Sequence, residues 1–482
     1  MEQVQLLIGD QDAPAANSAT FTRLNPMTGE PATKAAAASV VDAVAAVEAA
    51  AKAFPAWSQT GPSHRRAMLN KAADLLEKRA PQFATIMTAE TGSAGWWGPF
   101  NCALAASMLR EAAALTTQIT GEVVPSDVPG AVAMSIRQPV GVVLGLAPWN
   151  APVILGVRSI AVPLACGNTV VLKASEICPA THRLIGEVLK EAGLGGGIVN
   201  VITHDAKDAG AVTEAMIAHP AVRRVNFTGS TRVGKLIAQT AAKYLKPVLL
   251  ELGGKAPLIV CEDADLDEAV NAVVFGAFAH QGQICMSTER VIAHEKIADA
   301  FAAKLAKRVS ELPVGGPNEQ VVLTSVVDKS TVERVQRLVK AAEAQGAKVL
   351  CGGKAKGTVM EGVVVDHVTP KMELFREESF GPQVSITRAK SDDEAVALAN
   401  DTEYGLSAAI FTRDIAKGLE MAKRIDSGIC HINSPTVQDE PQMPFGGVKA
   451  SGYGRFGGRS GVDAFTETRW ITIQTKPRHY PF

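Results

Sequence analysis

Cys285 lies in Gln281-Gly282-Gln283-Ile284-Cys285-Met286-Ser287, a small, polar, glycine-containing loop that follows an apolar helical stretch. A thiol needs help to become a nucleophile, because only a few per cent of an unperturbed one is thiolate at neutral pH. A carboxylate stands upstream: Glu251, in Glu251-Leu252-Gly253-Gly254-Lys255, directly after the apolar run Val248-Leu249-Leu250. Held at the end of a strand, that carboxylate can provide a base. Together the two residues suggest covalent catalysis through sulfur followed by hydrolysis.

The elements that must position them follow from periodicity. Residues 41–57 read as an alanine-rich helix ending near Pro55, and 65–78 as a second. Glu90-Thr91-Gly92-Ser93-Ala94-Gly95-Trp96-Trp97 is a glycine-broken turn that opens a helix reaching about Ala114. From Val140 onward the pattern is regular: strand 140–146, the turn Ala147-Pro148-Trp149-Asn150, and a helix to about Cys166. Strands at 169–172, 198–202 and 225–228 alternate with helices at 179–192, 209–218 and 230–244. Such alternation means parallel βαβ units buried on both faces, which bind ligands at the carboxyl ends of their strands. A nucleotide site is therefore expected in the first half. A second α/β region follows Gly253-Gly254 and runs to about Gly447, with helices at 267–280, 297–309, 331–345 and 415–425. Residues 121–139 and the tail 465–474 are rich in strand formers and lie outside both blocks; a projecting sheet with unpaired edges favours pairing with another subunit.

Two glycine patterns compete for a phosphate. Gly452-Tyr453-Gly454-Arg455-Phe456-Gly457 matches G-x-G-x-x-G literally but follows no expected strand and opens no convincing helix, so a turn is the plainer reading. Phe227-Thr228-Gly229-Ser230-Thr231-Arg232-Val233-Gly234 runs from a strand through Gly229 into a helix, placing backbone N–H groups and the positive helix end where a phosphate could sit. Ser230 can equally be a plain helix cap. Lys173 and Glu176 flank Ala174-Ser175 just past another strand; a carboxylate there can bind both ribose hydroxyls and repel a 2′-phosphate, or simply start a solvated helix.

Composition bounds the rest. A chain of 482 residues needs two or more domains. The formal charge of −1 carries no footprint for nucleic acid or a membrane surface. Seven scattered cysteines without Cys-x-x-Cys, and histidines without His-Glu-x-x-His, argue against a disulfide framework or a metal site and fit a reducing compartment. Met1-Glu2-Gln3-Val4-Gln5 has no signal-peptide pattern, and no run approaches the roughly 18 apolar residues of a membrane span. A cytoplasmic protein is expected.

These residues together resemble the aldehyde dehydrogenase superfamily along nearly the whole chain. The likeness is carried by Pro148-Trp149-Asn150, Lys173 with Glu176, Phe227-Thr228-Gly229-Ser230, Glu251-Leu252-Gly253-Gly254-Lys255, Gly282-Gln283-Ile284-Cys285, Glu377-Glu378-Ser379-Phe380-Gly381-Pro382 and Pro444-Phe445-Gly446-Gly447, all in the family's order. The separation of Glu251 from Cys285, 34 positions (285 − 251), also looks like the family's. The resemblance implies an α/β aldehyde dehydrogenase fold: a Rossmann-like NAD-binding domain from residues 1–120 and 140–251, a catalytic domain from 252–447, and an oligomerisation sheet from 121–139 and 460–482. It implies Cys285 as nucleophile, an oxyanion held by the Asn150 amide and the Cys285 N–H, and Glu251 as the base that activates water. It implies a cofactor, NAD with NADP possible, along Pro148, Trp149, Lys173, Ser175, Glu176, Gly229, Ser230, Gly234, Leu252, Glu378 and Phe380. Glu251 favours hydrolysis to a free acid over transfer to coenzyme A. A homodimer or homotetramer is implied, with neither nucleic acid nor membrane as partner. One departure touches a surface loop: the stretch after Leu312-Pro313-Val314-Gly315-Gly316-Pro317 is short and lacks the family's aspartate before the proline.

The neighbourhood Ile284-Cys285-Met286-Ser287-Thr288-Glu289-Arg290 and the closing Tyr480-Pro481-Phe482 look most like dehydrogenases of aromatic aldehydes such as salicylaldehyde, vanillin and benzaldehyde. Trp96, Trp97, Ile284, Met286 and Phe445 are candidates for a flat-walled apolar pocket, or for ordinary core. Arg158, eight positions after Asn150, stands where many relatives have an aromatic residue. It can bond a ring hydroxyl or methoxy oxygen, bind the carboxylate of a semialdehyde, or form a surface ion pair. A semialdehyde or broad aliphatic range, and a catalytically silent binding protein on the same fold, are the alternatives.

Overall fold

The run Val142-Val143-Leu144-Gly145-Leu146 is buried along its whole length, as a strand covered on both faces must be. It lies near the centre of an eight-stranded sheet in a computed structural model that describes residues 1–317 and 320–482; Asn318 and Glu319, in the short loop noted above, lie outside the described residues. Five strands of this sheet are parallel, in the order Val248–Glu251, Val222–Thr228, Val142–Leu146, Thr169–Lys173 and Val199–Ile202. The pairings Leu146 with Lys173, Lys173 with Ile202 and Thr228 with Glu251 bring all five carboxyl ends to one edge. Sequence order reverses between Val142–Leu146 and Val222–Thr228, so the crevice of a doubly wound sheet opens at the ends of these two strands.

A second sheet of seven strands runs Lys348–Cys351, Val363–Asp366, Gln383–Ala389, Thr288–His294, Ala256–Val260, Ser407–Phe411 and Ile429–Ile432, parallel except for the first. The two sheets are continuous through one short link, Leu252–Lys255, between Glu251 and Ala256. The carboxyl edge of the first sheet thereby meets the amino edge of the second. A separate three-stranded antiparallel sheet joins Glu122–Val124, Ala131–Pro139 and Thr466–Gln474, and Val123, Trp470 and Ile473 stand exposed on it.

Local chemistry explains most element boundaries. The helix Pro179–Ala192 starts on proline and stops at Gly193, whose φ is +109°. The helix expected through Cys166 is instead two, Pro152–Arg158 and Ala161–Ala165. Pro163 has no N–H to offer the Ser159 carbonyl, and its ring crowds that carbonyl. The opposite happens at Pro55, where Val40–Ser58 continues for a further turn with Trp57 buried against the core. Near the tail, Gly458–Ala464 is a helix with Val462 fully buried in the main apolar core, and the projecting strand begins at Thr466. Among the described residues no helix is long and apolar enough to cross a membrane.

The decoy glycines have a packing role. Gly452–Tyr453 is a short strand paired antiparallel with Val248–Glu251, Gly452 opposite Glu251. Gly452 has φ +106°, and a Cβ there would lie 2.1 Å from the Leu250 carbonyl oxygen. Gly452→Ala should therefore cost about 1–3 kcal/mol in backbone strain alone, and more from the collision, lowering Tm by several degrees in calorimetry. Gly210→Ala, in the exposed first turn of the helix Ala209–Ala218 with nothing near its Cβ, should hold or raise Tm. Equal melting of the two variants would contradict the close approach.

Candidate active site

The spacing between Glu251 and Cys285 is a single βαβ crossover: strand Ala256–Val260, helix Leu266–Phe278, strand Thr288–His294. The two strands are neighbours, with Ala256 paired to Thr288, so the segments just before them run side by side. The approach is tight enough that a Cβ on Gly254 would lie 2.2 Å from the Cys285 carbonyl oxygen. Upstream of the loop, His280 and Gln281 hold left-handed conformations (φ 46° and 56°), which cost on the order of 1–3 kcal/mol each. They are held by neighbours: the His280 ring stacks on Trp97 with centroids 4.8 Å apart, and the Gln281 amide meets Thr324 Oγ1 at 2.9 Å.

Glu251 ends its strand almost wholly buried, and neither carboxylate oxygen has a hydrogen-bond partner of good geometry. Burial pushes its pKa up to about 7, while the positive charge of Arg158 and the nearby Cys285 thiol pull the other way. The thiol is close enough to interact with the carboxylate without a fully formed hydrogen bond. Burial, and then the charge of Glu251, push the Cys285 thiol well above its ordinary range. At rest a neutral thiol therefore faces a carboxylate poised near neutrality. A base whose pKa lies near the working pH is the effective one for proton transfer.

Asn150 follows the strand Val142–Leu146 at the crevice and is buried. Its side-chain Nδ2 donates to the Gln283 carbonyl at 2.8 Å, which ties it to the cysteine loop and leaves a second N–H free. Trp97 Nε1 donates to the Asn150 carbonyl at 2.9 Å. The Cys285 backbone N–H has no acceptor among the described residues. One amide N–H and one backbone N–H beside the sulfur are the elements of an oxyanion hole.

A cleft of about 550 Å³ continues from Cys285 between the two sheet edges. From the first sheet's side it is lined by Pro148, Trp149, Asn150, Gly229, Ser230 and Leu252; from the second's come Glu378 and Phe380. Ser230 caps the helix Thr231–Lys243, accepting from Val233 N at 3.4 Å, so the helix N-terminus opens onto the cleft. Burial pushes Glu378 up to about 8, although Gly254 N donates to it at 2.9 Å. Phe380 holds φ 46° and stands edge-on to Trp149, centroids 5.8 Å apart. At Gly234 a Cβ would strike the Leu252 side chain at 2.4 Å, so the missing side chain lets helix and link approach. Lys173, Ser175 and Glu176 lie off this cleft, at the end of the neighbouring strand. Ser175 is buried with its hydroxyl accepting from Ile177 N at 3.2 Å, a local turn contact. Lys173 stands beside His204, and burial pulls its ammonium down to about 8.

The expected substrate residues divide. Ile284, Met286 and Phe445 join one buried apolar cluster against which Cys285 packs, and Leu155 belongs to both cluster and cleft. Trp97 is a support behind Asn150, while Trp96 is 39% exposed at the start of the helix Trp97–Leu115. Arg158 is in an ion pair, but a buried one. Its guanidinium binds Asp439, and it lies 4.0 Å over the Phe445 ring. Asp439, on an irregular segment 281 positions away, gave no sequence signal.

Comparison with known proteins agrees with this geometry. The aldehyde dehydrogenase family model matches residues 14–471. A vanillin dehydrogenase from Pseudomonas sp. (strain HR199 / DSM 7063) is 59% identical over 482 residues, the whole of both chains. The crystal structure of a salicylaldehyde dehydrogenase from Pseudomonas putida G7 complexed with salicylaldehyde superposes with a TM-score of 0.98 at 46% identity, covering both chains fully. That of PnpE in complex with nicotinamide adenine dinucleotide gives 0.95 at 35% identity and 99% coverage of each chain. With a thiol, an unpartnered carboxylate and an amide gathered where two sheet edges meet, and a family match spanning nearly its full length, this chain belongs to the aldehyde dehydrogenase family.

Proposed function

We propose that this chain oxidises an aromatic aldehyde to its carboxylic acid with NAD, through an acyl group carried transiently on Cys285. The observation that carries the reading is the buried, unpartnered carboxylate of Glu251 facing the thiol at the inner end of the cleft. Cys285 sulfur attacks the aldehyde carbon as its proton passes to Glu251. The carbonyl oxygen becomes an oxyanion held by Asn150 Nδ2–H and the Cys285 N–H, each such donor worth roughly 2.7–4 kcal/mol in the transition state. When bound, the nicotinamide supplies the two-electron acceptor for the hydride leaving that carbon. Glu251 first yields the thiol's proton to solvent; it then deprotonates the water that cleaves the residual thioester on Cys285 and passes that proton to the departing sulfur as the acid is released.

The cleft's own groups fit NAD. The open N-terminus of Thr231–Lys243 suits a pyrophosphate, and the Glu378 carboxylate suits ribose hydroxyls. Trp149 and Phe380 offer flat faces. Glu176 favours NAD over NADP because a carboxylate there repels a 2′-phosphate. PnpE, whose complex holds this dinucleotide, supports the same choice. Lys173 and Glu176 are assigned to the adenosine ribose. A homodimer or homotetramer through the projecting sheet accounts for the exposure of Trp470. The free cysteines fit the cytoplasm.

The aromatic substrate class rests on similarity to the vanillin and salicylaldehyde enzymes and on the apolar cluster around Cys285. The state of Arg158 bears on the semialdehyde alternative. Its charge is already neutralised by Asp439, so a substrate carboxylate meets no free cation there.

Three outcomes test this reading. Glu251→Gln should still release about one equivalent of NADH per site in a first turnover, more slowly because the thiol has lost its proton acceptor, and then turn over at a steady rate slowed further, roughly 10²-fold or more; an unchanged steady rate removes Glu251 from the hydrolytic step. In the wild type that step needs the carboxylate, so its single-turnover rate should climb as pH rises through about 7 and level above it. By kcat/KM, vanillin, salicylaldehyde and benzaldehyde should each exceed succinate semialdehyde at least about tenfold. Preference for the semialdehyde would replace the aromatic assignment.

A further inference from the structure

Asp439 is the second member of the Arg158 ion pair, and its two carboxylate oxygens have different fates. Oδ2 is taken by Arg158, whereas Oδ1 is buried with no hydrogen-bond partner. The side chain is only 10% exposed and Arg158 only 6%, so little water is available to the orphaned oxygen. A buried acceptor left unmade costs about 1–3 kcal/mol, more when charged, unless something donates to it.

The surroundings indicate what that donor is. Asp439 and Phe445 share the wall of a cavity of about 270 Å³ with Gln438, Cys430 and His431. Phe445 belongs to the apolar cluster that packs against Cys285, and Arg158 stacks on its ring. The helix Pro152–Arg158 supplies a measure of depth. Leu155 lines the catalytic cleft, and Arg158 is three residues farther, roughly 4.5 Å along the axis. Arg158 and Asp439 are near enough to Glu251 for their charges to act on it, which sets the pair close to the reaction centre, behind the apolar ring of Phe445.

We infer that Asp439 Oδ1 accepts a hydrogen bond from a ring hydroxyl of the aromatic aldehyde, on the side of the ring away from the carbonyl, and that Arg158, by pairing with Oδ2, holds Asp439 oriented for it. The inference rests on the aromatic-aldehyde reading above and adds the residue that selects phenolic substrates. Asp439 accepts and cannot donate, so it distinguishes a hydroxyl from a methoxy group at one ring position. A site built to bond a substrate hydroxyl rejects the analogue that lacks it, because its own polar group is left unpaired. Arg158 alone makes the opposite choice: a cation accepts either oxygen and binds a phenolate best.

The test compares 4-hydroxybenzaldehyde with 4-methoxybenzaldehyde, each by kcat/KM with NAD, in the wild type and in Asp439→Asn. Their ratio within one enzyme cancels general damage to folding or chemistry. The wild-type ratio should be about ten or more and should fall at least fivefold in Asp439→Asn; an unchanged ratio overturns the proposal. A second measurement uses the substrate's own proton. Other charged or titratable groups near the pair are Glu111 on the helix Trp97–Leu115, neighbouring Glu440, and His431 on the edge strand Ile429–Ile432. They act on both aldehydes, but only the hydroxy compound ionises. The wild-type ratio should fall as pH rises through that phenol's pKa, because phenolate cannot donate and is repelled by Asp439. A ratio that rises with pH assigns recognition to Arg158 and overturns the role of Asp439. If the wild type oxidises neither aldehyde while oxidising an aliphatic one, the aromatic reading itself has failed.

Discussion

The active site exists because the carboxyl edge of one parallel sheet is set against the amino edge of another. Parallel strands deliver all their carboxyl ends to one side, and the dipoles and unsatisfied N–H groups of the following helices gather there too. The link Leu252–Lys255 is too short to separate the edges, so residues ending strands in the first sheet face residues that precede strands in the second. Glu251, Asn150 and Ser230 come from one edge, Cys285, Glu378 and Phe380 from the other. A cleft between two such edges needs no dedicated scaffold of its own.

That arrangement puts two acids in low-polarity surroundings. Glu251 and Glu378 are both driven upward mainly by lost hydration, to about 7 and about 8. Their neighbours differ. Glu378 takes a backbone N–H from Gly254, a firm positional anchor, while Glu251 has no such anchor and stays free to exchange a proton. Holding Glu251 in this state is destabilising to the fold, and the strand pairings on both of its sides, to Thr228 and to Gly452, keep it there.

Much of this was legible in local chemistry. The strand–turn–helix units around Asn150 and Gly229 announce themselves by continuous apolar runs, and Pro179 with Gly193 bounds a helix by the conformations these residues favour. Glu251, Asn150, Ser230 and Cys285, which meet at the cleft, were legible because each lies at an element's end, where the apolar pattern breaks. What stayed hidden depends on partners remote in sequence. The strands Leu6–Ile8 and Gln11–Ala13 are three residues each and exist only because the sheet edge at Val199–Ile202 accepts them. Asp439 sits in irregular chain, and nothing near it foretells Arg158. Trp97 read equally as pocket lining or core, because an aromatic beside a turn suits either role; its N–H bond to Asn150 is a tertiary fact.

The His280 ring lies flat against Trp97, and neither ring nitrogen meets a hydrogen-bond partner among the described residues. Enclosure drives its pKa down to about 3, so the imidazole stays uncharged throughout any range a cell encounters. Trp97 in turn steadies Asn150. The wall behind Asn150 is thus indifferent to acidification, and the response of the cleft to pH falls to its carboxylates and its thiol.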